Sequence, residues 1–215
     1  MKTTIENLFD LNFDAFSTFL KIMNGYIAGS FALYDYMMNS ELQNWQPNDI
    51  DIWIPLPEVT KEIVEFEREF RVDMYEKGEI PSYMSSVTTR IQIVKDFLKY
   101  QKCVEIPNPH VRDYKVIQYM NPNIYKIYNF MFKKKKIQVI FTANCEPMDI
   151  LNTFDISGCR VVWCPSKGYN LTPAYVMEDL KQKRMFVENK CYTDRTQDRI
   201  HKYKQRGFKL YTEIV

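Results

Sequence analysis

The sequence predicts an α+β protein, a mixed sheet flanked by helices with additional C-terminal strands and helices, and three stretches carry that prediction. Tyr26-Ile-Ala28 is a short apolar strand that stops at Gly29 and turns into a helix opening with Ser30. Asn48-Asp49-Ile-Asp51-Ile-Trp-Ile54 alternates polar with apolar residues, the pattern of a strand with unlike faces. From Tyr114 to Thr142 the chain is rich in Tyr, Ile, Val and Phe and is interrupted at Asn121-Pro-Asn123 and Lys133-Lys-Lys-Lys136, which predicts two or three strands with tight connections.

The remaining elements follow in chain order. Phe9, Phe13, Phe16, Leu20 and Met23 recur at helical spacing before Asn24-Gly25, so one first helix with a core-packing face is expected. The helix opened by Ser30 is expected to extend to about Asn39, and Ser40 to Pro47 is a loop. Pro55-Leu-Pro57 ends the second strand and starts a helix whose buried face is Ile63, Phe66 and Phe70. Glu79 to Ser86 reads as irregular, Thr88 to Lys102 as a helix carrying Ile91, Val94 and Leu98, and Pro107 to Pro109 as a loop.

Beyond Thr142, Pro147 to Thr153 is a short helix and Cys159 to Cys164 a strand entered through Phe154-Asp155-Ile156. Pro165 to Asn170 is a hairpin or loop. Thr172-Pro173 starts a helix to about Lys183, with the threonine as cap. Met185 to Val187 is a short strand, and Asp194 to Arg206 is a basic helix stopped by Gly207.

Length and composition narrow the classes. With 215 residues, 46% apolar and 15% aromatic, the chain can bury a real core and is not a disordered segment. A single unit over 1–215 is expected, with a core of about 8–165 and a C-terminal extension of about 166–215. The net charge of +2 excludes a global basic field, so any nucleic-acid surface is local. Five cysteines (Cys103, Cys145, Cys159, Cys164 and Cys191) form no C-x-x-C pair, which points to free thiols in a reducing compartment. No segment has the unbroken apolar length of a membrane span and the first residues do not form a signal peptide, so a soluble, cytoplasmic protein is expected, of undefined oligomeric state.

The chemistry concentrates on two motifs. A strand stopping at Gly29 and entering a helix at Ser30 presents free backbone N–H groups that suit a phosphate. Asp49 and Asp51, two apart on a strand, leave the same face, and like charges that close favour a hard cation between them. Together, Gly29-Ser30 and Asp49-x-Asp51 resemble the signature of the polymerase-beta-like nucleotidyltransferase superfamily, although the intervening stretch, Phe31 to Asn48, is longer than the family's spacing. The resemblance implies the nucleotidyltransferase fold. It also implies a reaction in which a nucleoside monophosphate moves from a nucleoside triphosphate (NTP) to a hydroxyl, with Mg2+ or Mn2+ as cofactor.

The family places a third carboxylate on a strand beside the D-x-D strand. Here the polar residue of the corresponding strand, Ile137 to Phe141, is Gln138, which carries no charge. Asp155 is then the candidate third acid and metal ligand, and its alternative is an aspartate that binds backbone N–H groups at an element boundary. The ending Lys202-Tyr-Lys-Gln-Arg206-Gly-Phe208, in order after the other motifs, resembles a group of nucleotidyltransferase-like proteins, many encoded by large DNA viruses. Lys202 and Arg206 are candidates to steady the triphosphate or an RNA end, or else form a solvated helix face. Three functions stay open: a transferase acting on an RNA end or a protein hydroxyl, an inactive adaptor that keeps the fold, and a nucleic-acid-binding module built on Lys133 to Lys136 and the terminal helix.

Overall fold

The computed structural model describes residues 1–38, 45–65, 82–107, 121–189 and 194–212. Phe66, Phe70 and Cys191 lie outside the described residues, as do parts of the expected loops at Ser40 to Pro47, Glu79 to Ser86 and Pro107 to Pro109 and the stretch Tyr114 to Met120.

The first apolar run makes two helices rather than one, α1 (Lys2–Phe9) and α2 (Phe13–Ile22). Asp10 takes a left-handed conformation and its N–H closes α1 on the Glu6 carbonyl, while the Asn12 side chain accepts from Ala15 N and opens α2. Short polar side chains that bond nearby backbone compete with helix continuation, and here that competition outweighs the unbroken apolar period. β1 (Tyr26–Ala28), α3 (Ser30–Tyr36) and β2 (Asp49–Pro55) follow as the sequence predicts, with α3 ending earlier than Asn39. Among the described residues the helical turns after Pro57 cover 61–65, and the Thr60 hydroxyl accepts from Ile63 N at their start.

α4 (Tyr83–Tyr100) begins five residues before Thr88 and buries Val87, Ile91, Val94 and Leu98. In its polar first turns the Ser86 and Thr89 hydroxyls donate back to the carbonyls of Tyr83 and Ser85. β3 (Val104–Ile106) was not legible in sequence. β4 (Ile124–Phe132) and β5 (Lys135–Thr142) form the expected hairpin, turning at Lys133, whose φ is 53°. Only Lys133 and Lys134 make that turn; Lys135 and Lys136 belong to β5.

α5 (Pro147–Leu151) leads to a 3-10 turn (Ser157–Arg160) and β6 (Val162–Trp163), so the strand expected from Cys159 to Cys164 is shorter. α6 (Ala174–Lys181) is not capped by Thr172 as expected. That hydroxyl instead accepts from Val162 N and donates to Val162 O, tying the helix entry to β6. β7 (Arg184–Val187), α7 (Asp194–Gln205) and β8 (Lys209–Thr212) complete the chain, with β7 and β8 parallel.

Among the described residues the main sheet runs β3-β4-β5-β2-β1-β6, with β2 and β5 parallel and the other neighbours antiparallel. Alternation gives the sheet two unlike faces. Ile50, Ile52, Ile54, Ile137, Val139, Phe141, Phe130 and Phe132 join Phe16, Leu20, Phe31, Leu33, Val94 and Leu98 in the main core. Trp53, Ile127 and Ile140 on the other face pack with Ile150 and Leu151 of α5 in a smaller cluster. The polar ends of the strands on that second face carry the candidate site. Met185, Tyr203 and Phe208 of the C-terminal elements belong to the main core, which ties the last helix to the sheet. No described helix is long and apolar enough to cross a membrane.

Candidate active site

The site begins with the register of four strands. Ala28, Asp51, Gln138 and Asn129 are successive partners across β1, β2, β5 and β4, so their side chains share one face. One pair along, Asp49 lies opposite Lys136. Gln138 therefore stands beside Asp51, as its place in the sequence predicts, and its Nε2 donates to Asn129 Oδ1 at 2.8 Å.

Gly29 sits at φ 87°, and a Cβ there would approach Asp51 Oδ2 to 3.1 Å. A side chain at this position meets both backbone strain and the carboxylate, so glycine is the residue that lets β1 turn past Asp51. Its N–H is donated to the Cys159 carbonyl at 3.0 Å, which removes it from the set of free helix-entry donors. Gly29 thus serves the site by lacking a side chain. Ser30 Oγ donates to Asp49 Oδ1 at 3.5 Å, linking the helix start to the acidic strand.

Burial, followed by the neighbouring Asp49 charge, pushes the Asp51 carboxyl up to about 7, against the opposing pull of Lys136, Arg199 and Lys202. Burial is thus what chiefly disfavours the Asp51 charge, with three cations already facing the acidic pair. Two carboxylates side by side, with the Gln138 carboxamide next to Asp51, are a donor set that suits a hard divalent cation. No group of three His, Cys, Asp or Glu side chains that could hold a metal occurs among the described residues, so any cation would rest on Asp49, Asp51 and neutral oxygens.

The basic helix α7 and Arg206, the residue that follows it, bring their charges to this pair. Burial and Arg206 lower the Lys202 pKa while Asp49 raises it, and burial lowers that of Arg206 with Tyr203, Cys159 and Asp49 opposing. The Arg206 guanidinium lies 3.7 Å from the Trp45 ring centroid, and its buried Nη1 meets no hydrogen-bond acceptor among the described residues.

Asp155 is engaged with the same helix. Its Oδ1 lies 2.5 Å from Arg199 Nη1, and its Oδ2 accepts from Thr196 Oγ1 at 2.8 Å. Arg199 Nη2 also contacts Cys159 Sγ at 3.1 Å, which in turn lies 3.1 Å from the Tyr203 hydroxyl. Burial disfavours the Arg199 charge, but Cys159, Asp155 and Tyr203 outweigh it and hold the guanidinium pKa above its usual value. The structure gathers Gly29, Ser30, Asp49, Asp51, Lys202 and Arg206 at one place, with the Asp155 carboxylate occupied by side chains of α7.

Lys136 and Arg199 were not identified from sequence as neighbours of the acidic pair, nor Asn129 as the partner of Gln138 or Trp45 as that of Arg206. Lys136 had a usable signal: it lies two residues before Gln138 on a strand and therefore on the same face. Arg199 and Lys202 are three apart on a helix, so placing one at the site implies the other. Nothing local marks Trp45 or Asn129.

Over residues 2–183 the sequence matches the model of Gad2, described as the Gabija anti-defense 2 family protein, and the chain belongs to that family. No curated protein matches it. Among solved structures it is similar to a tRNA-processing enzyme in apo form I, with a TM-score of 0.50, 13% identity, and coverage of 96% of this chain and 44% of that one. It is also similar to a CCA-adding enzyme in complex with CTP, with a TM-score of 0.47, 15% identity, and coverage of 96% and 39%. The chain spans less than half the length of these proteins, and at 13% identity the likeness to the tRNA-processing enzyme concerns the α+β fold alone. The family match ends at Lys183, before α7.

Proposed function

We propose that this member of the Gabija anti-defense 2 family is a metal-dependent nucleotidyltransferase that moves a nucleoside monophosphate from an NTP to an acceptor hydroxyl, on an RNA end or a protein. The family's name supplies the purpose, in which the acceptor is a component of the Gabija defence and its modification disables it. The observation that carries the chemistry is the pair Asp49 and Asp51, held against Gly29 and faced by the cations of α7.

In this reading Asp49 and Asp51 hold Mg2+ or Mn2+, which when bound polarises the reacting phosphorus and stabilises the pyrophosphate that leaves. Ser30, through its hydroxyl and its place at the start of α3, holds the triphosphate together with Lys202 and Arg206. The buried Nη1 of Arg206 is a donor for which a phosphate oxygen is a suitable acceptor. Asp155 acts as the anchor of α7: by fixing Arg199 and Thr196 it sets where Lys202 reaches. The place of action is the cytoplasm, where NTPs and reduced thiols coexist, and the source is viral, consistent with a protein directed against a defence.

A second reading is favoured by one specific observation. The neutral Gln138 beside Asp51, with Asp155 already paired, suits an adaptor that keeps the fold and binds without turnover. Incubation with Mg2+ or Mn2+ and each labelled NTP, in the presence of RNA and Gabija proteins, separates the two. Label that enters an acceptor with the wild type and not with the Asp49→Ala/Asp51→Ala variant establishes the transferase. No incorporation, with unchanged binding to a Gabija component by both proteins, establishes the adaptor.

A further inference from the structure

We propose that Gln138 supplies the third oxygen ligand of the cation site, as a neutral amide carbonyl turned toward the acidic pair by Asn129, so that the site takes a single divalent cation. The inference rests on the transferase reading above and concerns the same site.

The row across the sheet carries it. Gln138 lies between Asp51 on one side and Asn129 on the other, all on one face. Cβ atoms of residues so paired stand about 5 Å apart. Asn129 is only 2% exposed, so its side chain is a fixed partner, and its Oδ1 takes the Gln138 Nε2 donor at 2.8 Å. The two ends of a carboxamide diverge from one carbon. With the nitrogen committed to Asn129, the oxygen is left for the Asp51 side of the row. Amide carbonyl oxygens are hard ligands of the kind that Mg2+ and Mn2+ accept beside carboxylates.

Charge fixes the stoichiometry. Two carboxylates and an amide carry only two negative charges, already faced by Lys136, Arg199 and Lys202, which leaves room for one divalent cation and not for two. Three carboxylates would suit a pair of cations better. Asn129 acts here as a positioning residue, holding the amide with its oxygen toward the pair, as partners of metal ligands do elsewhere.

The test is Mn2+ titration of the full chain without nucleotide, read by loss of the free Mn2+ paramagnetic resonance signal, in the wild type and in Gln138→Leu, Gln138→Glu and Asp51→Asn. The expected result is one bound Mn2+ in the wild type, affinity lowered roughly tenfold or more by Gln138→Leu, tightened by Gln138→Glu and lost in Asp51→Asn. Wild-type affinity in Gln138→Leu, with loss in Asp51→Asn, overturns the role of Gln138 and leaves the transferase reading standing. Should the leucine variant misfold, unchanged affinity in the nearly isosteric glutamate variant overturns it equally. Absence of wild-type binding overturns both.

Discussion

The two faces of strand β2 differ as much as two proteins. Ile50, Ile52 and Ile54 point into the main core and are almost fully buried, whereas Asp49 and Asp51, interleaved with them, point to the face where Lys136, Gln138 and Asn129 gather. Five of the six residues from Asp49 to Ile54 therefore divide between packing on one side and chemistry on the other, at the cost of holding a carboxyl that burial and a like charge both disfavour. The contrast teaches that stability and function are separable here by single substitutions one residue apart.

The strongest way to break that comparison is to truncate the core side. Ile52→Ala should lower unfolding free energy by about 3 to 4 kcal/mol through lost burial and the cavity left behind, measured by urea denaturation. The adjacent Asp51→Asn should keep or raise stability, because it removes the repulsion with Asp49, and should abolish nucleotide incorporation. Equal destabilisation by both would show that the faces are not independent.

A smaller effect should come from the anchor of α7. Asp155→Ala removes a 3%-exposed partner of Arg199, whose side chain is 40% exposed. Solvent around the arginine reduces the loss to roughly 2 kcal/mol, below that of a fully buried pair. If Asp155 positions α7, this variant should raise KM for NTP more than it lowers kcat. A fall in kcat alone would point to Asp155 as a metal ligand instead.

A further effect sharpens the comparison through pH. The folded-state pKa of Asp51 is raised from 3.8 to about 7, so between these values the native chain binds a proton that the unfolded chain has lost. Stability from this group therefore falls as pH rises from 4 to 7, the reverse of an ion-paired carboxylate. In EDTA the melting temperature should decline across that window, and Asp51→Asn should flatten the decline. Mn2+ should restore stability at pH 8, since a cation replaces the proton. A melting curve insensitive to all three changes would show that Asp51 is not the buried group described above.

Much of the site was legible because it is local. A strand ending at Gly29, a serine opening a helix and two aspartates at period two depend on residues within a few positions of one another, and backbone geometry alone orients them. Elsewhere local rules competed, and neighbouring residues alone could not decide which would win. The apolar period from Phe9 to Met23 and the caps at Asp10 and Asn12 made opposite demands, and the caps prevailed. Thr172 fits a helix cap by position, yet β6 lies close enough to take its hydroxyl.

The chain by itself determined the alternation of β2, the glycine turn and the basic period of α7, since each is a repeat written in neighbouring residues. Only tertiary structure decided that β2 and β5 run parallel, that Asn129 takes the Gln138 amide, and that Asp155 closes on Arg199. These pairings join residues separated by 9 to 87 positions, and the free energy that selects them comes from burying the helices and the sheet against one another.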